Sequence, residues 1–82
     1  KLLLLTDAFE RLGVWRVAIC TDADNERSRA AILRLGAVFE GVLRHHRPKY
    51  NSPTPRPRDS AMYSITDNDW PAVKLGLEAR LA

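Results

Sequence analysis

Thr21-Asp-Ala-Asp-Asn25-Glu-Arg-Ser28-Arg-Ala-Ala-Ile-Leu-Arg-Leu-Gly36 is the stretch of this sequence that decides its fold. It contains a polar turn, a helix start and a glycine that ends the helix. Asn25 is the expected N-cap, with Asp22 and Asp24 as alternatives, and Gly36 fits the C′ position. The first N–H groups of a helix and its dipole favour an electron-rich ligand. The stretch therefore predicts a turn that binds a ligand at a helix N-terminus.

The segments on either side of this helix complete an α+β domain. Apolar residues at helical spacing predict a first helix, and three alternating segments predict strands. A polar cap before Trp70-Pro71 predicts a last helix, because proline is tolerated in a first turn. The predicted order is helix, strand, helix, strand, strand, helix, over residues 2–12, 14–21, 26–35, 38–47, 60–66 and from residue 70 onwards.

Each predicted element has a face that we expect to be buried, and Trp15 and Trp70 are the expected core anchors. The helices should bury Leu2, Leu5, Leu12, Ala31, Ile32, Leu33, Leu35, Val73, Leu77 and Leu81. The outward face of the second helix should carry Arg27, Arg29 and Arg34. On the second strand, one face should hold Phe39, Gly41 and Leu43. On the third strand, Met62 and Ser64 should lie opposite Ala61, Tyr63 and Ile65.

Two segments look unusual for so short a domain. The first strand is apolar on both faces, so it should lie inside a sheet or be covered. With so few strands, however, it would be left as an exposed apolar edge. Residues 48–58 contain four prolines and are predicted to form a loop with little regular structure.

Composition narrows the class of function. The chain has 82 residues and a formal charge of +3, but its basic residues are scattered rather than gathered in one stripe, which makes a nucleic-acid role the weakest of the functions considered. Its apolar runs are too short to span a membrane. Cys20 is the single cysteine, which excludes an intrachain disulfide and predicts a reducing, cytoplasmic setting. His45 and His46 would point to opposite faces of a strand, so no metal site is predicted.

The motifs taken together resemble a known family. They are Asn25-x-x-Ser28, Leu35-Gly36-Ala37, Phe39-Glu40-Gly41, Leu43-Arg44, Arg58-Asp59, Tyr63-Ser64-Ile65 and Trp70-Pro71. This set is similar to the GNAT N-acetyltransferase superfamily, and within it to the ribosomal-protein-alanine (RimJ/RimL-like) branch. The resemblance implies that residues 1–82 are the C-terminal half of a GNAT domain. It also implies a mixed three-stranded sheet, with the third strand in the middle and helices on both faces.

The resemblance implies transfer of an acetyl or other acyl group from acyl-coenzyme A to an amine, with a protein N-terminus as one candidate acceptor. In the family, a loop Gln/Arg-x-x-Gly-x-Gly/Ala holds the pyrophosphate of the coenzyme just before the helix that corresponds to residues 2–12. The chain contains no such motif and no glutamine. We therefore expect the 82 residues to carry half of a site, to bind coenzyme A weakly and to be inactive alone.

The same resemblance assigns roles around the central turn. Asn25 would hydrogen-bond the pantetheine arm, because an amide both donates and accepts. Ser28 would protonate the departing thiolate as a catalytic residue, and Arg27 and Arg29 would contact the nucleotide. Each residue has a structural alternative, which is helix capping for Asn25 and Ser28 and a solvated helix face for the two arginines.

Two further positions complete the implied site. Backbone N–H groups near Ile19 and Thr21 would polarise the thioester carbonyl. Tyr63 is a catalytic candidate, as a general acid near the acceptor, and its alternative is a core tyrosine with a bonded hydroxyl.

Two functions from other classes stay open at this point. A non-catalytic module derived from a GNAT domain would pair its exposed strand edge with a second copy or with a separate N-terminal piece. A small basic nucleic-acid binder would show strongly salt-dependent binding to DNA or RNA.

Overall fold

The computed structural model describes residues 1–49 and 53–81, in which three helical segments pack on a three-stranded sheet. The predicted order of elements is confirmed. The elements are α1 (Leu2–Thr6) with a π-helical turn (Asp7–Arg11), β1 (Arg16–Asp22), α2 (Glu26–Leu35), β2 (Val38–Pro48), β3 (Pro57–Thr66) and α3 (Trp70–Leu81).

The segment predicted as a loop, residues 48–58, is shorter in the structure. Pro48 ends β2 and pairs with Pro57, the first residue of β3, and the Lys49 N–H donates to the Arg56 carbonyl at 2.7 Å. Residues 50–52 of the predicted loop lie outside the described residues. The two strands therefore form a long hairpin that carries Lys49 at its end.

The strand order is β1-β3-β2, which confirms that the third strand lies in the middle. Both pairings are antiparallel, with Tyr63 of β3 opposite Ile19 on one side and Phe39 on the other. The expectation of a mixed sheet is wrong for these strands. The outer strands β1 and β2 do run in the same direction, but β3 separates them and they do not pair.

One face of the sheet carries the core. Ala61, Tyr63 and Ile65 of β3 are fully buried there. The helices contribute Leu5, Leu35, Trp70 and Val73 to the same cluster. The expectation of helices on both faces is therefore wrong. The physical reason is the alternation of β3, whose opposite face presents Ser60, Met62 and Ser64 and offers the helices little apolar surface.

A π-helical turn shifts the face of the first helix. The Leu12 N–H donates to the Asp7 carbonyl at 2.9 Å, which is five residues back rather than four. Leu5 is buried as predicted, but the wider turn rotates Leu12 outward, where it is 62% exposed. Gly13 follows with φ +67°, as expected for the residue that ends a helix.

Of the two predicted core anchors, only Trp70 is buried. Its ring stacks on Phe9 with centroids 5.2 Å apart, and its Nε1 donates to Glu10 Oε2 at 2.8 Å. Trp15 is 82% exposed. Its carbonyl still accepts from the Asp67 N–H at 3.0 Å, so Trp15 lies just beyond the ends of β1 and β3, at the margin of the sheet rather than in its centre. The prediction for Trp15 is wrong.

The predicted faces of β2 are also wrong, because a bulge reverses them. Phe39 pairs with Tyr63 and Gly41 with Met62, so Glu40 is the extra residue and Gly41 takes φ +145°. Phe39 thus lies on the core face, whereas Gly41 and Leu43 lie on the opposite one. A second irregularity follows between Leu43 and Arg47.

The remaining differences concern exposure. Leu33 of α2 and Leu81 of α3 are 53% and 75% exposed, so neither belongs to the core as expected. β1 lies at the edge of the sheet, as predicted from the small number of strands. Its Ala18 is exposed and its Cys20 half-buried, so β1 is not covered on both faces.

Candidate functional site

The helix α2 begins where β1 ends, and Asn25 caps it as predicted. The Asn25 Oδ1 accepts a hydrogen bond from the Ser28 N–H at 3.0 Å. The alternatives Asp22 and Asp24 do not cap this helix. Instead, the Asp22 carboxylate accepts from the Asp24 N–H at 2.9 Å, which tightens the turn before the cap. The side chains of Asp22 and Asn25 thus accept from backbone N–H groups two and three residues further along the chain.

The turn is electrostatically linked to the hairpin. The Lys49 Nζ lies 3.6 Å from Asp22 Oδ2 and 3.5 Å from Asp24 Oδ2. The hydrogen bond from the Asp24 N–H, helped by the nearby charges of Lys49 and Arg58, holds the pKa of Asp22 below its ordinary value. The Asp22 carboxylate therefore stays ionised well into the acidic range.

A cleft of about 590 Å³ opens between the end of β1, the first turn of α2 and the hairpin. This volume lies within the range of small-molecule sites. Its lining combines carboxylates with two cations from the hairpin and consists of Thr21, Asp22, Asp24, Asn25, Glu26, Pro48, Lys49 and Arg58. The cleft therefore joins a helix N-terminus to a mixed set of charges, in which three carboxylates outnumber two cations and Lys49 is already paired with Asp22 and Asp24.

Arg29 does not face outward, and that prediction is wrong. Its Nε donates to the Tyr63 hydroxyl at 2.9 Å and its NH1 donates to the Ala23 carbonyl at 3.1 Å. Its guanidinium carbon also lies 5.3 Å from the centre of the Phe39 ring. Arg27 and Arg34, by contrast, are exposed as predicted.

Tyr63 is fully buried in the middle strand, and its hydroxyl accepts the hydrogen bond from Arg29. This matches the structural alternative, a core tyrosine with a bonded hydroxyl. Ser28 is half-buried one turn into α2, and its backbone N–H is the group that the Asn25 cap engages.

Ile19 and Thr21 lie on the core side of β1, opposite Tyr63 and Ala61. Because β1 is an edge strand, alternate backbone groups along it point away from β3 toward the open side of the sheet. The Trp15 carbonyl accepts from the Asp67 N–H and the Ala23 N–H donates to the Asp59 carbonyl, so the odd-numbered residues of β1, Ile19 and Thr21 among them, direct their backbone groups to β3. The outward groups that a ligand or another strand could engage belong to Ala18, Cys20 and Asp22.

The structure thus brings together only some of the predicted site residues. Thr21 and Asn25 line the cleft; Ile19, Arg27, Ser28, Arg29 and Tyr63 do not. Sequence reasoning missed Lys49 and Arg58 as lining residues. No local signal marks them, since each follows a proline in a stretch that reads as a loop.

Two further observations concern metals and membranes. Over residues 1–49 and 53–81, no three His, Cys, Asp or Glu side chains gather where they could hold a metal ion. In the same ranges, no helix has the length and apolar character needed to cross a bilayer.

Comparison with known proteins identifies relatives. The chain is 35% identical over 79 residues to YdaF of Bacillus subtilis (strain 168), a proposed ribosomal N-acetyltransferase, and the match covers 87% of this chain and 37% of YdaF. A crystal structure of a proposed acetyltransferase superposes with a TM-score of 0.90 at 49% identity, over 100% of this chain and 42% of that one. A GCN5-related N-acetyltransferase from Brucella melitensis gives a TM-score of 0.85 at 36% identity, over 98% of this chain and 34% of that one.

The chain is similar to GCN5-related (GNAT) acetyltransferases. No protein-family model matches it. The chain spans between 34% and 42% of the length of these three relatives. The three helices and the antiparallel sheet therefore superpose on one part of each of these acetyltransferases.

Proposed function

We propose that this chain is the C-terminal half of a GNAT acyl-coenzyme A N-acyltransferase domain of the RimJ/RimL-like branch. The complete enzyme transfers an acetyl group from acetyl-coenzyme A to an amine. The resemblance of the motifs and the partial coverage of the GNAT relatives support this proposal. YdaF is a proposed ribosomal N-acetyltransferase, so the N-terminus of a protein is the first amine acceptor to test.

The observation that carries the proposal is the Asn25 cap at the end of an open strand edge. The cap uses the Asn25 Oδ1, and the amide nitrogen is the part of the side chain that can donate to a carbonyl of the pantetheine arm. The helix N-terminus and the outward groups of β1 lie beside it. A ligand laid along β1 toward α2 would meet all of these groups.

The chemistry divides among the residues in a simple way. Acetyl-coenzyme A supplies the acetyl group as a thioester, whose carbonyl carbon the substrate amine attacks. The outward-facing backbone N–H of Cys20, between Ile19 and Thr21, polarises the carbonyl and stabilises the developing oxyanion. When the C–S bond breaks, the proton that the attacking amine gives up passes through the Ser28 hydroxyl to the departing thiolate, which leaves Ser28 protonated again. Arg27, exposed on the first turn of α2, contacts the nucleotide.

Two variants of Asn25 separate its role as a ligand from its role as a cap. Asn25→Ser keeps a capping oxygen but removes the amide, so we expect the free energy of unfolding to stay within about 0.5 kcal/mol of the original. Titration calorimetry with acetyl-coenzyme A should then show affinity lower by about tenfold, the worth of one or two hydrogen bonds. Asn25→Ala should lose this affinity and also about 1 kcal/mol of stability.

If Asn25→Ser and the original chain bind acetyl-coenzyme A with equal affinity, Asn25 caps the helix but does not bind the ligand. An amine-acceptor assay adds a second test. We expect the 82 residues to bind the coenzyme weakly and to turn nothing over. Rapid acetyl transfer by this chain alone would contradict the half-site.

The open edge of β1 supports a second candidate function, a non-catalytic module that dimerises. Leu3, Leu4 and Trp15 are 85%, 77% and 82% exposed, which is much apolar surface for so small a domain. In the GNAT proposal the N-terminal half of the domain covers this surface; in the alternative, a second copy does. Sedimentation velocity should show concentration-dependent self-association, and a monomer without affinity for coenzyme A would contradict both functions.

A further inference from the structure

Arg29 connects the first turn of α2 to three other parts of the fold. Its side chain reaches β3 through the Tyr63 hydroxyl at 2.9 Å and the turn after β1 through the Ala23 carbonyl at 3.1 Å. It reaches β2 through the face of the Phe39 ring, 5.3 Å from the guanidinium carbon. A planar guanidinium can satisfy such separate partners at once, which a lysine ammonium cannot do in the same way.

The turn that Arg29 holds is the one that carries the cap. The Ala23 N–H donates to the Asp59 carbonyl at 2.8 Å, so Ala23 is fixed from both sides. Two residues later, the Asn25 carbonyl accepts the backbone N–H of Arg29 at 3.0 Å. The side chain and backbone of Arg29 therefore restrain residues 23–25 together, and with them the direction of the Asn25 amide.

We propose that Arg29 is a positioning residue, which sets the Asn25 cap for the pantetheine arm, and not a ligand of the nucleotide phosphates. This inference rests on the proposed coenzyme A function. To reach a phosphate, Arg29 would have to leave a fully buried hydroxyl and a backbone carbonyl, both of which would lose a donor. Arg27, exposed on the same turn, has no such ties among the described residues and is the better phosphate contact.

The test compares Arg29→Met with Arg34→Met. Both substitutions remove one positive charge from α2, but the side chain of Arg34 lies exposed in the last turn, away from the cap. The two ligands are coenzyme A and pantetheine, which lacks the nucleotide and its phosphates. Titrations followed by NMR give both affinities, and amide hydrogen exchange of Ser28 and Ile65 is measured without ligand.

If Arg29 positions the cap, Arg29→Met weakens coenzyme A and pantetheine by the same factor, about tenfold. Exchange of the Ser28 amide speeds up, while Ile65 in the middle strand keeps its protection. Arg34→Met changes both affinities by less than about twofold, because an exposed charge far from the ligand contributes little. A general loss of stability would instead speed up exchange at both amides.

Two results would overturn the inference. If Arg29→Met weakens coenzyme A but not pantetheine, then Arg29 binds phosphate. If neither the exchange rate of the Ser28 amide nor the affinities for coenzyme A and pantetheine change, the contacts of Arg29 do not position the Asn25 cap. If the original chain binds neither ligand, the proposed function fails, and the exchange comparison still decides whether Arg29 holds the cap.

Tyr63→Phe provides a milder variant if Arg29→Met does not fold. It removes only the hydroxyl that accepts the Arg29 Nε and keeps the buried ring. Both affinities should fall in the same proportion, by about threefold, because one of the two side-chain hydrogen bonds remains. Unchanged affinities and unchanged Ser28 exchange in this variant would count against the positioning role.

Discussion

Replacing Gly36 by alanine should destabilise the domain through two penalties that meet at one residue. Gly36 ends α2 with φ +105°, and a Cβ placed there would lie 3.0 Å from Cγ2 of Val73 in α3. The left-handed backbone alone costs an L residue about 1–2 kcal/mol. Relieving the close contact with the buried Val73 adds about 1 kcal/mol. We expect Gly36→Ala to lower the free energy of unfolding by about 2–3 kcal/mol.

Two other glycines separate these penalties. Gly13 has φ +67°, but a Cβ there meets no described atom within 4 Å, so Gly13→Ala should cost only the backbone penalty, about 1 kcal/mol. Gly76 lies inside α3, without a positive φ and without a neighbour within 4 Å. Gly76→Ala should therefore stabilise the domain by about 0.5–1 kcal/mol, the gain in helix propensity.

Urea unfolding followed by circular dichroism measures all three variants by linear extrapolation. Gly36→Ala and Gly76→Ala should differ by about 3 kcal/mol, which is about 12–24 °C in Tm for a domain of this size. If Gly36→Ala costs no more than Gly13→Ala, the described contact between the end of α2 and Val73 is wrong. If Gly76→Ala is destabilising, residue 76 does not lie in a regular helix.

The other predictions concern the core and pH. Leu35→Ala should cost about 2–4 kcal/mol because Leu35 is 8% exposed, whereas Leu33→Ala, at 53% exposure, should cost less than about 1 kcal/mol. Equal losses in urea unfolding would mean that α2 buries another face. The hydrogen bonds from Lys74 and Trp70 lower the pKa of Glu10 from its ordinary 4.5. Their stabilisation is therefore present above pH 4.5 and is lost as the pH falls through the lowered pKa. Glu10→Gln should remove part of the fall of Tm on acidification, and an unchanged Tm profile would show that the hydrogen bonds of Glu10 to Lys74 and Trp70 contribute nothing to it.

The features that depend on near neighbours in the chain were predictable. The Asn25 cap joins residues three apart, and Gly36 ends α2 in a left-handed conformation that glycine adopts without steric cost. Capping and chain reversal are decided by the backbone geometry of a few residues. For this reason the order of the elements and the helix start in the cleft could be inferred without a structure.

Single-residue shifts explain most of the wrong assignments of faces. The π-helical turn rotates Leu12 outward, and the bulge at Glu40 places Phe39 and Leu43 on opposite faces. A strand has a period of two, so one extra residue moves every later side chain to the other face. Gly41 was the available signal, since a glycine within an apolar strand often marks a bulge.

The direction of Arg29 could not be inferred, because its partner Tyr63 lies 34 residues away. On a helical wheel, Arg29 resembles the exposed Arg27. The same holds for Lys49 and Arg58, which enter the cleft only because β2 and β3 pair as far as Pro48 and Pro57. Long-range contacts of this kind depend on register, and a pattern in one segment does not specify register.

The sequence alone determined the resemblance to GNAT acetyltransferases, the order of the elements, the middle place of β3 and the cap that starts α2. These depend on motifs, on local backbone chemistry and on apolar periodicity, which the residues carry wherever they lie in space. Only the tertiary structure decided that all three helices share one face, that Trp15 is exposed and that Arg29 turns inward to Tyr63. Each of these depends on which distant groups the folded chain brings within a few ångströms, where hydrogen bonding and burial act.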